Sequence, residues 1–257
     1  PPEQEELDDY TDPSDAPSVR HDLLKNVTRL SLRLAVTGIT SLILLLVGIV
    51  AEHPAVLPPD LHTILDGPSY PFIQLVFLIV AAGFSFPTFW NGIKGLTSFQ
   101  ANGDSAAAVA VLAALVQNVV LLVLGVPGGI HLYSPLAAFA LFLNAAGKFS
   151  MARRMFENFR YLCTKDRKCA VRLYGDYNTS LRLAKDCVLG EPHIAYQSEA
   201  EFLRSFLRIS YTPDPADHIS QVLAPAGFLL SLALCAAAAF LTSGGAVSAI
   251  TVLAASC

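Results

Sequence analysis

The sequence predicts an all-α polytopic membrane protein with six transmembrane helices and a small cytosolic α/β insertion between helices four and five. Of its 257 residues, 53% are hydrophobic and only 15% are charged, a balance more apolar than a soluble domain of this size needs. Charged side chains are missing from four long stretches, residues 34–51, 67–93, 105–147 and 218–257. We expect the membrane helices in these stretches of 18, 27, 43 and 40 residues.

The lengths of the charge-free stretches predict the number of helices. A helix needs roughly 20 apolar residues to cross a hydrocarbon layer of about 30 Å, so each shorter stretch holds one span and each longer one holds two. The longer stretches contain the glycine-bearing turns 125–129 and 242–245, where we expect the helices to break. The six predicted spans are residues 34–50, 72–90, 106–124, 132–149, 222–241 and 246–257.

The basic residues predict the orientation of the chain in the membrane. All 17 lysine and arginine residues fall before the first span, between spans two and three, or from Lys148 at the end of span four up to span five. Lysine and arginine accumulate in cytoplasmic loops. We therefore expect a multi-pass protein of the plasma membrane with its N-terminus in the cytoplasm.

The composition of the remaining segments predicts how the chain is divided into a tail, two membrane regions and an insertion. Eight of the first 22 residues are acidic, so residues 1–29 are predicted to form a disordered cytosolic tail, which is a solvated spacer or binds a basic partner. Helices one to four then occupy residues 30–149, the insertion residues 150–221, and helices five and six residues 222–257. Within the insertion, β-branched and aromatic side chains predict short strands at 170–174 and 193–196, and a helix at 202–209.

The two ends of the sequence suggest that the natural protein is longer. The chain does not begin with Met, and its sixth apolar run holds only 12 residues, which is too few to span a membrane. We expect the sixth helix to be truncated here and the natural chain to continue past Cys257.

Several segments carry a family resemblance through their order along the chain. An amphipathic segment at 89–96 is followed by Asn102-Gly103-Asp104-Ser105, which opens the third span, and Asn144-Ala145-Ala146-Gly147-Lys148 leads from the fourth span into a basic stretch. Residues 214–219 precede the fifth span, and residues 249–257 end in a cysteine. This order resembles the membrane and actuator portion of P-type ATPases of the heavy-metal type, over most of residues 30–257.

The resemblance implies roles for two residues. Cys257 would be the first cysteine of the family's Cys-Pro-Cys motif, and hence a ligand of the transported metal ion. Glu191, within Leu189-Gly190-Glu191-Pro192, would stand where the family's Thr-Gly-Glu glutamate positions water against an aspartyl phosphate, although a plain surface turn explains the segment as well. An intact pump would need ATP, Mg²⁺ and a downstream catalytic domain, so this chain alone cannot hydrolyse ATP.

The sequence also departs from the family pattern. Gly103 replaces the Met of the family's Asn-Met-Asp-type turn, Leu189 replaces the Thr of Thr-Gly-Glu, and residues 150–221 form a short actuator. These departures raise the possibility of a degenerate, non-pumping relative.

Further candidate residues lie in the predicted spans. Cys235 could bind Cu(I) or Zn(II), or serve only in helix packing. Gln117, Asn118 and Asn144 are polar within lipid, where they form hydrogen bonds between helices or line a transport path. The spacing of Cys163, Cys169 and Cys187 does not match a structural zinc site.

Two functional hypotheses follow from the sequence. There is no glycine-rich nucleotide loop, nucleophile elbow, zinc-protease helix or basic aromatic surface suited to nucleic acid. The first hypothesis is the front part of a P-type ATPase-related transporter of heavy-metal cations. The alternative is a non-catalytic membrane scaffold derived from such a pump, and a secondary carrier is disfavoured because no internal repeat is evident.

Overall fold

The structure is a computed structural model whose described residues fall into two compact units. The smaller unit comprises residues 1–22 and 155–212, and the larger comprises residues 23–154 and 213–257. The described residues are 10, 12–52, 67–98, 100–125, 131–185, 187, 193–200, 206–210, 215–241 and 245–257.

Helices dominate the described residues. A 3₁₀ turn at Pro13–Asp15 comes first. The strands are β1 (Cys169–Leu173) and β2 (Ala195–Glu199). The α-helices are α1 (Ala16–Glu52), α2 (Ser69–Phe84), α3 (Phe86–Thr97), α4 (Gly103–Leu124), α5 (Ser134–Leu162), α6 (Tyr177–Leu183), α7 (Phe206–Ser210), α8 (Pro215–Leu241) and α9 (Gly245–Ser256).

The apolar helices indicate a membrane-embedded protein, which confirms that part of the predicted fold class. Within the described residues, four helical segments are long and apolar enough to cross a membrane, and a fifth results if α2 and α3 form one span. Helix α9 has 12 residues and is shorter than a span. The four segments are Pro13–Ala51, Gly103–Leu124, Ser134–Leu162 and Gln221–Ala239.

The predicted second span, residues 72–90, is not one straight helix. Helices α2 and α3 meet at Ser85 with a bend of 83°. Pro87 explains the break, because proline has no backbone N–H and its ring would clash with the carbonyl of residue 83 in a continuing helix. In the first turn of α3 the same proline is tolerated, since that N–H would have no helical partner.

The predicted disordered tail is wrong for residues 16–29, which are helical in α1. Tyr10 is also ordered and only 4% exposed, with its ring 5.1 Å from that of Phe159 in an edge-to-face arrangement. Phe159 in turn lies 5.5 Å from Phe206. Burial raises the pKa of Tyr10, and the neighbouring Cys163 thiol raises it further. Aromatic packing within the smaller unit therefore orders a segment that composition alone marks as disordered.

The smaller unit also contains a two-stranded antiparallel sheet close to the predicted strands. Cys169 pairs with Glu199 at one end and Leu173 with Ala195 at the other. Between the strands, Asp176 caps α6 by accepting a hydrogen bond from the Asn178 N–H at 3.1 Å. The prediction of short strands is confirmed, although β1 begins one residue earlier than predicted and β2 begins two residues later.

The larger unit has an apolar core built by four helices. Leu44 of α1, Leu78 of α2, Val111 of α4 and Leu141 of α5 are each at most 1% exposed and belong to one cluster. Buried alanines fill the spaces between them and allow the helices to approach closely. Helix α4 also contacts α3, α8 and α9, so it is central to the unit.

Helix α3 packs tightly on the first turn of α4. Ser105 donates a buried hydrogen bond of 3.0 Å to the carbonyl oxygen of Gly92. A Cβ atom at Gly92 would lie 2.4 Å from the carbonyl oxygen of Asp104, which is closer than any side chain allows. Asn102 caps α4, and its side chain and that of Ser105 form a capping box.

Candidate functional site

A cavity of about 120 Å³ lies between α4, α8 and the end of α9, all within the larger unit. Such a volume holds a few water molecules or a small ion with part of its hydration shell. Pro225 lies within α8 at this level, and its missing N–H leaves the carbonyl of residue 221 without its usual helical donor. The lining residues are Ser105, Ala106, Val109, Leu223, Ala224, Gly227, Phe228, Ser231, Ser256 and Cys257.

One cysteine identified from the sequence, Cys257, lines this cavity, and a second, Cys235, lies near it without lining the cavity. Cys257 follows α9 and is partly exposed on the cavity wall, and its thiol lies close enough to Cys235 of α8 for the two to interact electrostatically. Ser231 is within hydrogen-bonding range of the Cys257 thiol and donates to the carbonyl oxygen of Ser256 at 3.1 Å. The structure thus places Cys235 of α8 in the neighbourhood of Cys257.

The donor set of this site favours soft metal ions. Thiolates bind Cu(I) and Zn(II) strongly, and a serine hydroxyl is a weaker additional donor. Among the residues that the structure describes, no group of three or more His, Cys, Asp and Glu side chains gathers around a point. A site of two thiolates suits Cu(I), which accepts low coordination numbers, better than Zn(II), which takes four ligands.

The two predicted transport-path residues lie elsewhere in the larger unit. Asn118 is fully buried on α4 and donates to Ser134 at 2.6 Å. It lies nine residues beyond Val109, the last α4 residue that lines the cavity, which places it about 14 Å along the helix from the cavity. Asn144 of α5 donates to the Asp104 carboxylate at 2.8 Å. Both amides link helices, and neither lines the cavity.

An ion pair that sequence reasoning did not identify lies next to the cavity. Lys148 of α5 contacts Asp104 of α4 at 2.6 Å and Thr88 of α3 at 3.3 Å. Asp104 is 8% exposed, and the following residue lines the cavity. The feature of the sequence that could have indicated this ion pair is the i, i+4 spacing of Asn144 and Lys148. This spacing places both side chains on the same face of α5.

The remaining sequence candidates are outside this site. Glu191 lies outside the described residues. Cys163, Cys169 and Cys187 are exposed free thiols of the smaller unit. Gln117 is fully buried and binds backbone groups, donating to the His131 carbonyl at 2.9 Å and accepting from the Tyr133 N–H at 3.1 Å.

No family model, curated protein or solved structure matches this chain.

Proposed function

We propose that this chain is the membrane-embedded front part of a P-type ATPase-related transporter of soft heavy-metal cations. In this proposal it has six spans in the plasma membrane, with a cytoplasmic N-terminus and an actuator-like insertion. A downstream catalytic domain would supply phosphorylation by ATP and Mg²⁺. The transported ion would bind between Cys257 and Cys235.

The observation that carries the proposal is the proximity of Cys235 to Cys257 on the cavity wall. The Cys257 thiol, which follows α9, lies on the wall of a cavity of about 120 Å³ that gives room for an ion, and the Cys235 thiol of α8 lies within electrostatic range of it. A relative movement of α8 and α9 would separate the ligands and release the ion. This is the kind of coupling that an ATP-driven pump requires.

The linker before α4 gives a second line of support. Helix α3 turns 83° away from α2 and exposes the stacked rings of Phe86 and Trp90, whose centroids are 6.1 Å apart. Aromatic side chains concentrate at the membrane surface. An amphipathic helix followed by a capped turn at Asn102 fits the linker that the family resemblance implies.

Metal binding by the purified chain tests the proposal. The exposed thiols are first removed by Cys163→Ser, Cys169→Ser and Cys187→Ser, so that only Cys235 and Cys257 remain. This background is then titrated with Cu(I) in detergent against a competing chelator. We expect one bound ion, with sulfur ligands in X-ray absorption and release of thiol protons on binding.

Two further variants of that background locate the site. In each of the variants Cys257→Ser and Cys235→Ser, the competing chelator should remove all Cu(I) from the protein. One thiolate alone is a weak site. If both variants bind Cu(I) as the background does, or if the background binds none, the proposed site is wrong.

One observation favours the alternative of a non-catalytic scaffold. The exposed fractions of Val171 and Leu173 on β1 are 76% and 73%, and exposed apolar side chains on a small sheet are typical of a protein contact. A full-length protein that binds no metal but retains a protein partner, and loses it on Val171→Lys, would support the scaffold.

A further inference from the structure

A second polar site lies at the other end of α4, away from the cysteine cavity. Gln74 of α2, Asn118 of α4 and Ser134 at the start of α5 have no exposed surface. Fully buried polar side chains in a membrane-embedded bundle need hydrogen-bond partners, because lipid supplies none. The partners of these three side chains decide what the site can bind.

The three side chains lie in one layer across the bundle. Helices α2 and α4 are antiparallel, since Tyr70 packs with Leu121 at one end of both helices. Gln74 is one turn along from Tyr70, and Asn118 is one turn back from Leu121, so the two amides lie at the same level.

Helix α1 completes this layer through Gly48. A Cβ atom there would lie 3.9 Å from Nε2 of Gln74 and 3.7 Å from Cγ of Pro135, the residue after Ser134. Helices α1, α2, α4 and α5 therefore meet around these polar groups.

Hydrogen bonds fix the orientation of both amides. The Nε2 atom of Gln74 donates to the carbonyl oxygen of Leu44 at 3.4 Å, and Nδ2 of Asn118 donates to that of Ala114 at 2.7 Å. A carbonyl oxygen can only accept, so each amide nitrogen must face it and each amide oxygen must point away. These oxygens, Oε1 of Gln74 and Oδ1 of Asn118, are buried and have no hydrogen-bond partner among the described residues.

Ser134 provides the remaining hydrogen-bonding group. Its hydroxyl oxygen accepts from Nδ2 of Asn118 at 2.6 Å, which leaves its own proton available for donation. The layer thus contains two acceptor oxygens without a donor, those of Gln74 and Asn118, and one available donor, the hydroxyl of Ser134. A ligand that donates twice and accepts once satisfies all three groups.

We propose that this layer is a binding site for a single water molecule. The water donates one hydrogen to Oε1 of Gln74 and the other to Oδ1 of Asn118, and it accepts the hydroxyl proton of Ser134. Three hydrogen bonds are typical of a buried water. The bound water ties α2, α4 and α5 together, and it gives the membrane unit a hydrated point about 14 Å along α4 from Val109, the nearest α4 residue that lines the cavity. An alkali cation fits less well, because amide N–H groups and a hydroxyl proton lie beside the oxygens.

Radiolytic footprinting of the full chain in lipid nanodiscs tests this proposal. X-rays generate hydroxyl radicals from bound water, which oxidise the nearest side chains even when these are buried. Leu121, which is 1% exposed and one turn from Asn118, is the reporter. Val111, which is 0% exposed in the apolar core, is the matched control. We expect oxidation of Leu121 well above that of Val111, and equal oxidation of the two would overturn the proposal.

A double variant and a salt series distinguish a bound water from an empty layer and from a bound cation. Combining Gln74→Met with Asn118→Leu removes both acceptors, so Leu121 oxidation should fall to the Val111 level. Persistent oxidation in a folded variant would overturn the site, and if the variant does not fold, the wild-type comparison still decides. Thermal midpoints in choline, sodium and potassium chloride should agree, whereas a midpoint raised by sodium or potassium would show a cation instead of water.

Discussion

Replacement of Gly92 by Ala is expected to weaken the packing of α3 on the first turn of α4. A Cβ atom at position 92 would lie 2.4 Å from the carbonyl oxygen of Asp104 and 2.7 Å from Cβ of Ala108. Since carbon atoms in contact lie about 3.5–4.0 Å apart, α3 would have to move away by about 1 Å. Overpacking of this kind costs about 1–3 kcal/mol. Loss of the hydrogen bond from Ser105 to Gly92 adds about 1 kcal/mol.

Gly147→Ala is the matched control for this experiment. Gly147 lies within α5, and a Cβ atom there meets nothing within 4 Å. Both substitutions gain a similar helix propensity, about 1 kcal/mol, so the two variants should differ by about 2–4 kcal/mol in unfolding free energy.

The difference is measured by titrating the detergent-solubilised protein with sodium dodecyl sulfate while recording Trp90 fluorescence. Trp90 is the only tryptophan in the sequence and lies on α3. If Gly92→Ala unfolds at the same point as Gly147→Ala, the close approach of α3 and α4 is refuted.

Three further predictions concern other contacts. Lys148→Met should lower the free energy of unfolding by about 2 kcal/mol, which is less than for a fully buried pair because the lysine side chain is 37% exposed. Adding Asp104→Asn should restore most of this loss in the same titration, because no unpaired carboxylate is then left buried. An unrestored double variant would contradict the ion pair. Tyr10→Ala should destabilise the smaller unit by about 3 kcal/mol, whereas Tyr10→Phe should destabilise it by about 1 kcal/mol. Limited proteolysis measures the difference, and equal cleavage of the two variants would contradict the aromatic packing. The Thr179 hydroxyl, with backbone N–H groups, lowers the pKa of Asp176, so this cap stabilises α6 above the unfolded pKa of about 4 and is lost as pH falls through the folded value. Amide exchange in α6 should therefore accelerate at low pH in wild type but not in Asp176→Asn, after correction for intrinsic rates.

The parts of the fold that depend on local composition were predicted from the sequence. Stretches without charge gave the apolar helices, because a charged side chain in hydrocarbon is costly and its absence over 18 or more residues is therefore informative. The bend at Ser85 was missed although Pro87 lay inside the predicted span. The segment was assigned as one span from its hydropathy alone, which does not take into account that proline interrupts helical hydrogen bonding.

Contacts between residues distant in sequence were beyond prediction from composition. The ordering of Tyr10 depends on Phe159, and the Asp104 ion pair depends on Lys148 on another helix. The candidate site is an intermediate case. Cys257 and Cys235 were each named as possible ligands, but only the packing of α8 on α9 brings them near one another.

The early end of α2 has a consequence for the surrounding lipid. Sixteen residues rising 1.5 Å each cover about 24 Å, roughly 6 Å less than a typical hydrocarbon core. Mismatch of this size is met by local thinning of the bilayer, at a cost of fractions of a kcal/mol for each ångström. Headgroups would be drawn inward to the level of Phe86 and Trp90. Short-chain phospholipids should therefore collect beside α2, and thin membranes should suit this protein better than thick ones.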